Sequence, residues 1–407
     1  MVKENTMKQT EIGLIPEEWE IKSVAELINE NSIISHLDGN HGALYPKSNE
    51  FIEDGVAYVG ANALINNKID YGKAKYLSAK RADTFIKGVA KAGDVLFAHN
   101  ATVGPVGLVD NSYDKIILST TLTYYRTDNS KLLNKYLLYE FQTDRFIRQY
   151  SSVMSQSTRN QVPISPQRKF VVCVPPLPEQ EAIAEVLSDA DAWIERLEQL
   201  IAKKRLIKQG AMQELLSPKE NWEERKLGEL GEVKMCKRIF QYQTSEFGEI
   251  PFYKIGTFGK IPDAFISRNN YQEFKNKFSF PKKGEILISA AGTIGRTVVY
   301  DGEECYFQDS NIVWINNQEE IVSNKFLKYI LEVVKYNTEG GTIQRLYNSI
   351  LRDTTFHCPS LTEQTRIATI LADMDAELEA LEGQLDKARK VKQGMMQELL
   401  TGKKRLV

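Results

Sequence analysis

The sequence KQGAMQELL at residues 208–216 returns as KQGMMQELL at residues 392–400, with one substitution in nine positions. It is the closest part of a longer match. Residues 174–219 align without a gap with residues 358–403, 184 positions later, and 24 of the 46 pairs are identical. A chain that repeats itself at about half its own length is built from two copies of one structural unit. Its fold and its function should therefore both show a twofold arrangement.

Each copy carries a seam of residues spaced alternately by four and three, which is the pattern of a coiled coil. The first seam comprises Ile183, Leu187, Ala190, Ile194, Leu197, Ile201, Lys204, Lys208, Ala211 and Leu215. The second comprises Ile367, Leu371, Met374, Leu378, Leu381, Leu385, Ala388, Lys392, Met395 and Leu399. Pro178 suits a first helical turn, and Glu179 and Glu363 suit the positive end of a helix dipole. The sequence therefore predicts two long helices, each of which packs against its own duplicate.

Some seam positions and their neighbours depart from a plain apolar pattern. Lys204, Lys208 and Lys392 occupy seam positions, where polar residues set the register or extend their stems towards solvent. Glycine inside a helix costs about 1 kcal/mol relative to alanine, so Gly210 and Gly394 predict a close helix crossing or a close partner. A second apolar stripe on the first helix predicts additional packing there, at Val186, Trp193, Leu200 and Ile207.

The segments between the helical copies match each other more weakly. The matched stretches are Trp19 with Trp222, Lys91–Leu96 with Lys282–Leu287, Thr102–Gly104 with Thr293–Gly295, and Asn134–Leu137 with Asn324–Leu327. Both segments mix short β-rich runs, such as Val95–Ala98 and Ile286–Ser289, with short helical patterns. This mixture predicts an α+β chain in which two α/β globules alternate with two long helices. Because the helices stay alike where the globules diverge, we expect the globules to recognise different targets.

These features together resemble the specificity (S) subunits of type I restriction-modification systems, and the resemblance covers the whole chain. Its most specific elements are the opening Leu177-Pro178-Glu179-Gln180 and the Lys-Gln-Gly-x-Met-Gln-Glu-Leu-Leu motif that closes each helical copy. The second copy departs from the opening pattern with Leu361-Thr362-Glu363-Gln364, which removes one proline.

The resemblance implies four regions along the chain. Residues 1–173 and 220–357 would be target-recognition domains, and residues 174–219 and 358–407 would be conserved helical regions that pair as an antiparallel coiled-coil spacer. Each recognition domain would read one half of an asymmetric, bipartite site in double-stranded DNA. Two methylation (M) subunits and two restriction (R) subunits would join the chain, which would itself be non-catalytic. Four cysteines without a C-x-x-C pair, and an N-terminus that does not read as a signal peptide, predict a cytoplasmic protein with reduced thiols, and we expect no cofactor.

Base edges in DNA are read by arginine at guanine, by asparagine or glutamine at adenine, and by serine or threonine at either. Polar runs rich in these residues occur in both globules, and a basic pair in the second suits phosphate contacts. The first-globule candidates are His99, Asn100, Thr102, Ser157, Thr158, Arg159, Asn160 and Gln161. The second-globule candidates are Lys237, Arg238, Thr293, Arg296, Thr342, Gln344 and Arg345.

Composition and motifs argue against several other functions. The formal net charge of −2 excludes a globally basic nucleic-acid-binding protein but allows a local basic surface. The sequence has no membrane-length apolar run and no C-x-x-C pair, so we expect no membrane association and no metal site. It also has no Walker A motif and no methyltransferase cofactor loop, so we expect methylation and translocation to come from other chains. Asp263, Glu273 and Lys275 mimic the spacing of a metal-dependent nuclease, but the first globule has no counterpart.

Two alternatives to a type I specificity subunit remain open from the sequence. One is the specificity chain of a type IIB-like system, which keeps DNA reading and changes the partners. The other is a coiled-coil scaffold that binds protein rather than DNA, and steep salt dependence of DNA binding would argue against it.

Overall fold

The structure is a computed structural model that describes residues 6–40, 45–156, 159–336 and 345–406. It divides into two compact units. Unit 1 comprises Met1–Glu198 and Gly383–Val407, and unit 2 comprises Gln199–Glu382. Each unit holds one globule, called the first or second head below, together with one part of each of two long helices. No helix in the described ranges is long and apolar enough to cross a membrane.

The first head is built from short strands and helices that precede the first long helix. Its strands are β1 Met7–Thr10, β2 Gly13–Pro16, β3 Glu20–Ser23, β4 Ile33–Asp38, β5 Phe51–Ile52, β6 Val56–Val59, β7 Leu64–Ile65, β8 Lys68–Ile69, β9 Lys75–Leu77, β10 Val89–Ala90, β11 Val95–Ala98, β12 Val106–Leu108, β13 Ile116–Leu118, β14 Leu122–Thr127 and β15 Val171–Val174. Its helices are α1 Val24–Asn29, α2 Ala79–Ala82, α3 Asn134–Glu140, α4 Asp144–Ser155 and α5 Ile164–Gln167. The long helix α6, Leu177–Leu215, follows.

The second head lies between α6 and the second long helix. Its strands are β16 Glu223–Lys226, β17 Val233–Lys234, β18 Thr244–Ser245, β19 Ile250–Tyr253, β20 Phe265–Ile266, β21 Ile286–Ser289, β22 Thr297–Val299, β23 Tyr306–Phe307, β24 Ile312–Ile315 and β25 Thr355–Cys358. Its helices are α7 Arg268–Lys277, α8 Asn324–Val333 and α9 Asn348–Asp353. The long helix α10, Leu361–Leu399, ends the fold.

The two heads repeat one strand order. A four-stranded sheet has the order β12-β11-β14-β4 in the first head and β22-β21-β24-β17 in the second. A second sheet has the order β10-β13-β6-β9-β5 in the first head and β23-β19-β20-β18 in the second. It contains one parallel pair in each head, β13 with β6 and β23 with β19. The predicted internal repeat is therefore confirmed, and it extends from the helices into both heads.

Strands β11 and β21 are buried on both faces. Successive side chains along a strand point to opposite sides, so each strand contributes to two apolar clusters. Val95 and Phe97 enter one apolar cluster of the first head, while Leu96 and Ala98 enter the other. Ile286 and Ile288 likewise face one cluster of the second head and Leu287 faces the other. Each strand is thus held firmly between two cores up to its final residue.

A buried glutamine attaches each long helix to its head. Gln180 accepts a hydrogen bond from the Leu133 amide (2.8 Å) and donates to the Pro175 carbonyl (2.9 Å). Gln364 accepts from the Ser323 amide (2.9 Å) and donates to the Pro359 carbonyl (2.9 Å). Both side chains are fully buried. The Glu-Gln dipeptide shared by the two helix openings is therefore part of the joint between helix and head.

Parts of the two long helices pair in an antiparallel direction within each unit. In unit 1, Glu198 of α6 bonds to Arg389 of α10 (2.6 Å), and Asp191, one repeat earlier on α6, bonds to Lys392, later on α10. In unit 2, Lys204 and Lys208 of α6 bond to Glu377 (2.6 Å) and Asp375 (2.5 Å) of α10. The predicted antiparallel coiled coil is confirmed, and all predicted seam positions are buried or half-buried: Ile183, Leu187, Ala190, Ile194, Leu197, Ile201, Lys204, Lys208, Ala211, Leu215, Ile367, Leu371, Met374, Leu378, Leu381, Leu385, Ala388, Lys392, Met395 and Leu399.

The seam lysines form ion pairs rather than extending into solvent. Asp375 accepts from Lys208 (2.5 Å), Lys328 (2.6 Å) and the Tyr329 hydroxyl (2.9 Å). Burial tends to raise the pKa of Asp375, but these three hydrogen bonds outweigh it and hold the pKa below its usual value. In unit 1, Asp191 accepts from Lys392, the Tyr139 hydroxyl (2.8 Å) and the Asn67 amide (3.0 Å).

The predictions about the helix surfaces hold only in part for the described residues. Val186 of the second stripe packs against the core of the first head, but Trp193, Leu200 and Ile207 remain 49%, 39% and 46% exposed. A close helix crossing at Gly210 and Gly394 is wrong, because a methyl group added at either glycine would meet no neighbouring atom within 4 Å. The alternative, a close partner at these glycines, stays a prediction.

We predict that Asp375→Asn destabilises the protein, because it leaves Lys208 and Lys328 partly buried without a counter-charge. The loss should be about 1–3 kcal/mol, between the values for exposed and fully buried ion pairs. Urea unfolding followed by circular dichroism measures it. Asp386→Asn is the matched control, since Asp386 pairs with Lys390 at side-chain exposures of 64% and 74%. Equal midpoints for the two variants would contradict a role for the seam ion pair.

Candidate DNA interface

The loop after β21 in the second head carries two of the predicted residues, Thr293 and Arg296. Ser289, the last residue of β21, accepts a hydrogen bond from the Arg296 amide (2.9 Å) and donates its hydroxyl to the Thr293 carbonyl (2.5 Å). Gly292 and Gly295 have φ of 66° and 79°, a left-handed conformation that favours glycine. The loop is therefore a tight turn anchored on a buried strand, with Thr293 exposed and Arg296 half-buried.

Arg345 lies beside this loop although it is 49 residues further along the chain. An antiparallel bridge pairs Ala291 with Arg345, and the Leu346 amide donates to the Ala290 carbonyl (2.8 Å). The Arg345 guanidinium donates to the Ser310 carbonyl (3.2 Å). The fold thus brings together two runs that the sequence only suggested separately. Thr342 and Gln344, the other candidates of the second run, lie outside the described residues.

The predicted phosphate-contacting pair lies near the same turn. Arg238 bonds through Nε to Asp309 (2.8 Å), one residue before Ser310, so its charge is partly compensated. Lys237 is exposed, and its ammonium group lies 5.0 Å from the centre of the Phe278 ring. Both cations are exposed, and only Arg238 has an acidic partner among the described residues.

The first head builds the same arrangement from different side chains. An antiparallel bridge pairs Asn100 with Gln161, and the Ala101 amide donates to the Asn160 carbonyl (3.1 Å). Ala101 has φ of 63°, close to the 66° of Gly292 at the matched position. Thr102, Arg159 and Asn160 are exposed, and Asn100 and Gln161 are half-buried. Ser157 and Thr158 lie outside the described residues.

His99 is placed differently from the other candidates. Its side chain is only 5% exposed, and its backbone joins both sides of the site: its amide donates to the Thr121 carbonyl (2.9 Å) and its carbonyl accepts from the Val162 amide (2.7 Å). The prediction that His99 itself reaches a base is thus corrected. It is a core residue at the end of β11 and serves to position the loops.

One further segment in each head adjoins the candidate loops and was not predicted from the sequence. A turn follows β13 or β23, comprising Ser119–Thr121 or Asp309–Asn311. The Thr121 hydroxyl accepts from the Ala61 amide (2.9 Å), and the Gln308 side chain accepts from the Ile255 amide (2.9 Å). These bonds tether the loop after β6 or β19 to the turn. No local sequence pattern predicts these turns, because their partners are distant in the chain.

A buried polar network holds the loop of the first head that contains Asn160 and Gln161. Gln167 donates to the Val162 carbonyl (2.8 Å) and to the Thr123 hydroxyl (3.1 Å), and it accepts from the Tyr125 hydroxyl (2.8 Å). His36 lies against the same amide oxygen (3.3 Å). Burial lowers the pKa of His36 from 6.5 to about 4, so the imidazole is neutral at neutral pH.

The residues that mimic a nuclease site each have a separate partner. Asp263 pairs with Lys254 (2.9 Å), Glu273 pairs with Lys277 (3.0 Å), and Lys275 donates to the Tyr271 hydroxyl (2.9 Å). No group of three or more histidine, cysteine or acidic side chains in the described ranges could hold a metal ion.

The fold defines an internally duplicated protein in which two heads with the same strand order carry bridged loops with different side chains. The family described as "Type I restriction modification DNA specificity domain" matches residues 16–204 and again residues 219–388. The chain belongs to this family and carries two copies of its domain. The expected role as a DNA sequence-specificity subunit is confirmed, while the type IIB-like and scaffold alternatives have no support.

Individual relatives agree with the family. A type I restriction enzyme specificity subunit of Haemophilus influenzae is 60% identical over 146 residues, which is 36% of this chain and 38% of that protein. The MjaX specificity subunit of Methanocaldococcus jannaschii is 25% identical over 99% of this chain and 98% of its own. The fold is similar to the crystal structure of an S subunit from M. genitalium, with a TM-score of 0.61 and 16% identity over 94% of this chain and 96% of that one.

We predict that Gly295→Ala damages the second-head loop more than Gly284→Ala damages its own turn. Both glycines have left-handed φ (79° and 89°), but only a methyl group at Gly295 would collide with a neighbour, the Tyr336 ring at 2.6 Å. Gly284→Ala should cost about 1–2 kcal/mol from backbone conformation alone. Urea unfolding should give a larger loss for Gly295→Ala. Equal losses would show that the tyrosine contact does not constrain the turn.

We also predict that His36 makes the protein less stable in acid. The unfolded imidazole binds a proton near pH 6.5 and the folded one only near pH 4, so stability is fully present above pH 6.5 and falls as the pH is lowered towards 4. His36→Gln should flatten the dependence of the urea midpoint on pH in this window. His357→Gln, in β25 outside this network, is the control and should keep the wild-type slope. Parallel curves for wild type and His36→Gln would contradict the assignment.

Proposed function

We propose that each head reads one half of an asymmetric, bipartite site in double-stranded DNA through its pair of anchored loops. The observation that carries this proposal is the repetition of one loop arrangement with different side chains. The bridge Asn100–Gln161 in the first head corresponds to the bridge Ala291–Arg345 in the second. Polar side chains held on a rigid framework are what direct readout of base edges requires.

The two half-sites differ because the reading residues differ. In the first head the bridge positions carry Asn100 and Gln161, which are neutral donors and acceptors, and the cationic Arg159 is exposed two residues before Gln161. In the second head Arg296 and Arg345 take part, and both are cationic. Since each base pair presents its own pattern of donors and acceptors in the major groove, two such different sets select two different half-sites.

The long helices serve as the spacer in this proposal, and the chain acts with other subunits. Residues 1–173 and 220–357 are the recognition domains, and 174–219 and 358–407 are the helical regions. Each long helix has 39 residues, about 58 Å at the rise of an α-helix. Two M subunits and two R subunits supply methylation and restriction in the cytoplasm, and this chain contributes sequence recognition without catalysis. The engagement of Asp263, Glu273 and Lys275 by separate partners supports that division of labour.

An exchange of heads tests the proposal. Residues 220–357 are replaced by the corresponding head of a relative, and the hybrid is produced with the cognate M subunit. Methylated sites are then mapped by single-molecule sequencing of the host DNA. One half of the recognised sequence should change and the other should stay as in the wild type. The reciprocal replacement of residues 1–173 is the matched control and should alter only the opposite half. A change of both halves in either hybrid would contradict modular reading.

A further inference from the structure

Two half-buried arginines of the second head, Arg296 and Arg345, have no acidic partner in the described part of the chain. Three of the six arginines of this head do have one: Arg225 with Glu223, Arg238 with Asp309, and Arg268 with Glu304. No carboxylate of the described residues lies within 4.0 Å of the Arg296 or Arg345 guanidinium. Arg352 shares this property, but it is exposed on α9, whereas Arg296 and Arg345 are half-buried.

Both arginines keep most of their hydrogen-bonding capacity. Arg345 donates one N–H to the Ser310 carbonyl (3.2 Å), and Arg296 makes one long contact with the Gly259 carbonyl (3.5 Å). A guanidinium has five N–H donors in a rigid fork and accepts no hydrogen bonds. A half-buried cation with neither an acidic partner nor a full set of acceptors is unfavourable by itself. The arrangement suits a ligand that supplies acceptors.

The backbone of both residues is fixed at the end of β21. The Arg296 amide is bound by the Ser289 hydroxyl (2.9 Å), and the Ser289 amide donates to the Arg296 carbonyl (2.9 Å). Arg345 is bridged to Ala291, two residues after the strand ends. Loops that are fixed in this way can discriminate between closely similar ligands, because a displaced side chain would lose the distinction.

We propose that Arg296 and Arg345 read guanines in the half-site of the second head, an inference that rests on the function proposed above. Guanine presents two acceptors, N7 and O6, side by side in the major groove, and the guanidinium fork matches them with two parallel N–H donors. A phosphate contact needs only an accessible cation, and the exposed Lys237 supplies one in this head. The half-buried, rigid arginines fit base reading better.

The first head lacks both groups at the matched positions. The alignment of Thr102–Gly104 with Thr293–Gly295 places Pro105 opposite Arg296, and the two bridges place Gln161 opposite Arg345. Proline has no side-chain donor, and glutamine matches adenine rather than guanine. At these two positions the capacity to read guanine therefore belongs to the second head alone, so they encode a difference between the half-sites.

Methylation mapping with single variants of the full chain and the cognate M subunit tests this assignment. The wild-type motif should contain invariant guanines in the half assigned to the second head by head exchange. Arg345→Gln introduces the residue of the first head, and it should relax one of these guanines or change it to adenine. Discrimination at that position should fall roughly 5- to 150-fold, the range for one bidentate contact. Arg296→Ala should relax a different guanine.

Conservative variants separate base reading from phosphate contact. Arg345→Lys and Arg296→Lys keep the charge but lose the fork, so a guanine reader should lose its preference, whereas a phosphate contact should be largely retained. Arg268→Ala, on α7, is the control and should leave the motif unchanged. Circular dichroism of each variant establishes that the protein is folded. If Arg345→Gln or Arg296→Ala fails to fold, the lysine variants still provide the test.

Several results would overturn the assignment. They are a wild-type second half-site without guanine, an unchanged motif in the lysine variants, or a uniform loss of methylation at all sites. These outcomes differ from failure of the proposed function itself, in which the wild-type chain would direct no sequence-specific methylation or head exchange would alter both halves.

Discussion

The most buried ion pair between the two long helices occurs twice, and it favours their antiparallel register. Each helical copy carries an aspartate and, 17 residues later, a lysine: Asp191 with Lys208, and Asp375 with Lys392. In an antiparallel pair each lysine meets the aspartate of the other copy, which is the arrangement found in each unit. A parallel pair of equal copies in register would place like charges together, which is unfavourable. The duplicated aspartate and lysine therefore favour antiparallel pairing of the two copies.

The same ion pairs also connect helix to head. Asp191 and Asp375 each accept a hydrogen bond from a tyrosine of the adjoining head, Tyr139 or Tyr329. Together with the buried glutamine at each helix opening, this contact uses residues that occur in both copies. The attachment is therefore independent of the loops at the ends of β11 and β21. Loop side chains can change without disturbing the joint, which is the physical condition for exchangeable recognition domains.

The sequence predicted the helices and their pairing well because those features are periodic and local. Heptad spacing located both seams, and strands β11 and β21 were predicted from apolar runs. It could not locate the turns Ser119–Thr121 and Asp309–Asn311, whose roles depend on backbone contacts between distant segments. It also misplaced His99, since a polar residue after a strand reads the same whether its ring points outward or into the core. The glycines of α6 and α10 showed that a matched position alone does not identify a contact.

Duplication explains why the two heads can differ in chemistry while sharing geometry. Tyr150 and Tyr336 press against the turn glycines Gly104 and Gly295, at 2.7 Å and 2.6 Å from where a methyl group would lie. Such a contact disfavours any larger residue at the glycine, and both glycines have positive φ, 114° at Gly104 and 79° at Gly295. The neighbouring positions carry no such restriction, and proline stands at one where arginine stands at the other. Side chains next to the turn glycine can therefore differ between the heads while the glycine is kept. A recognition surface can change its preference there without loss of the fold that presents it.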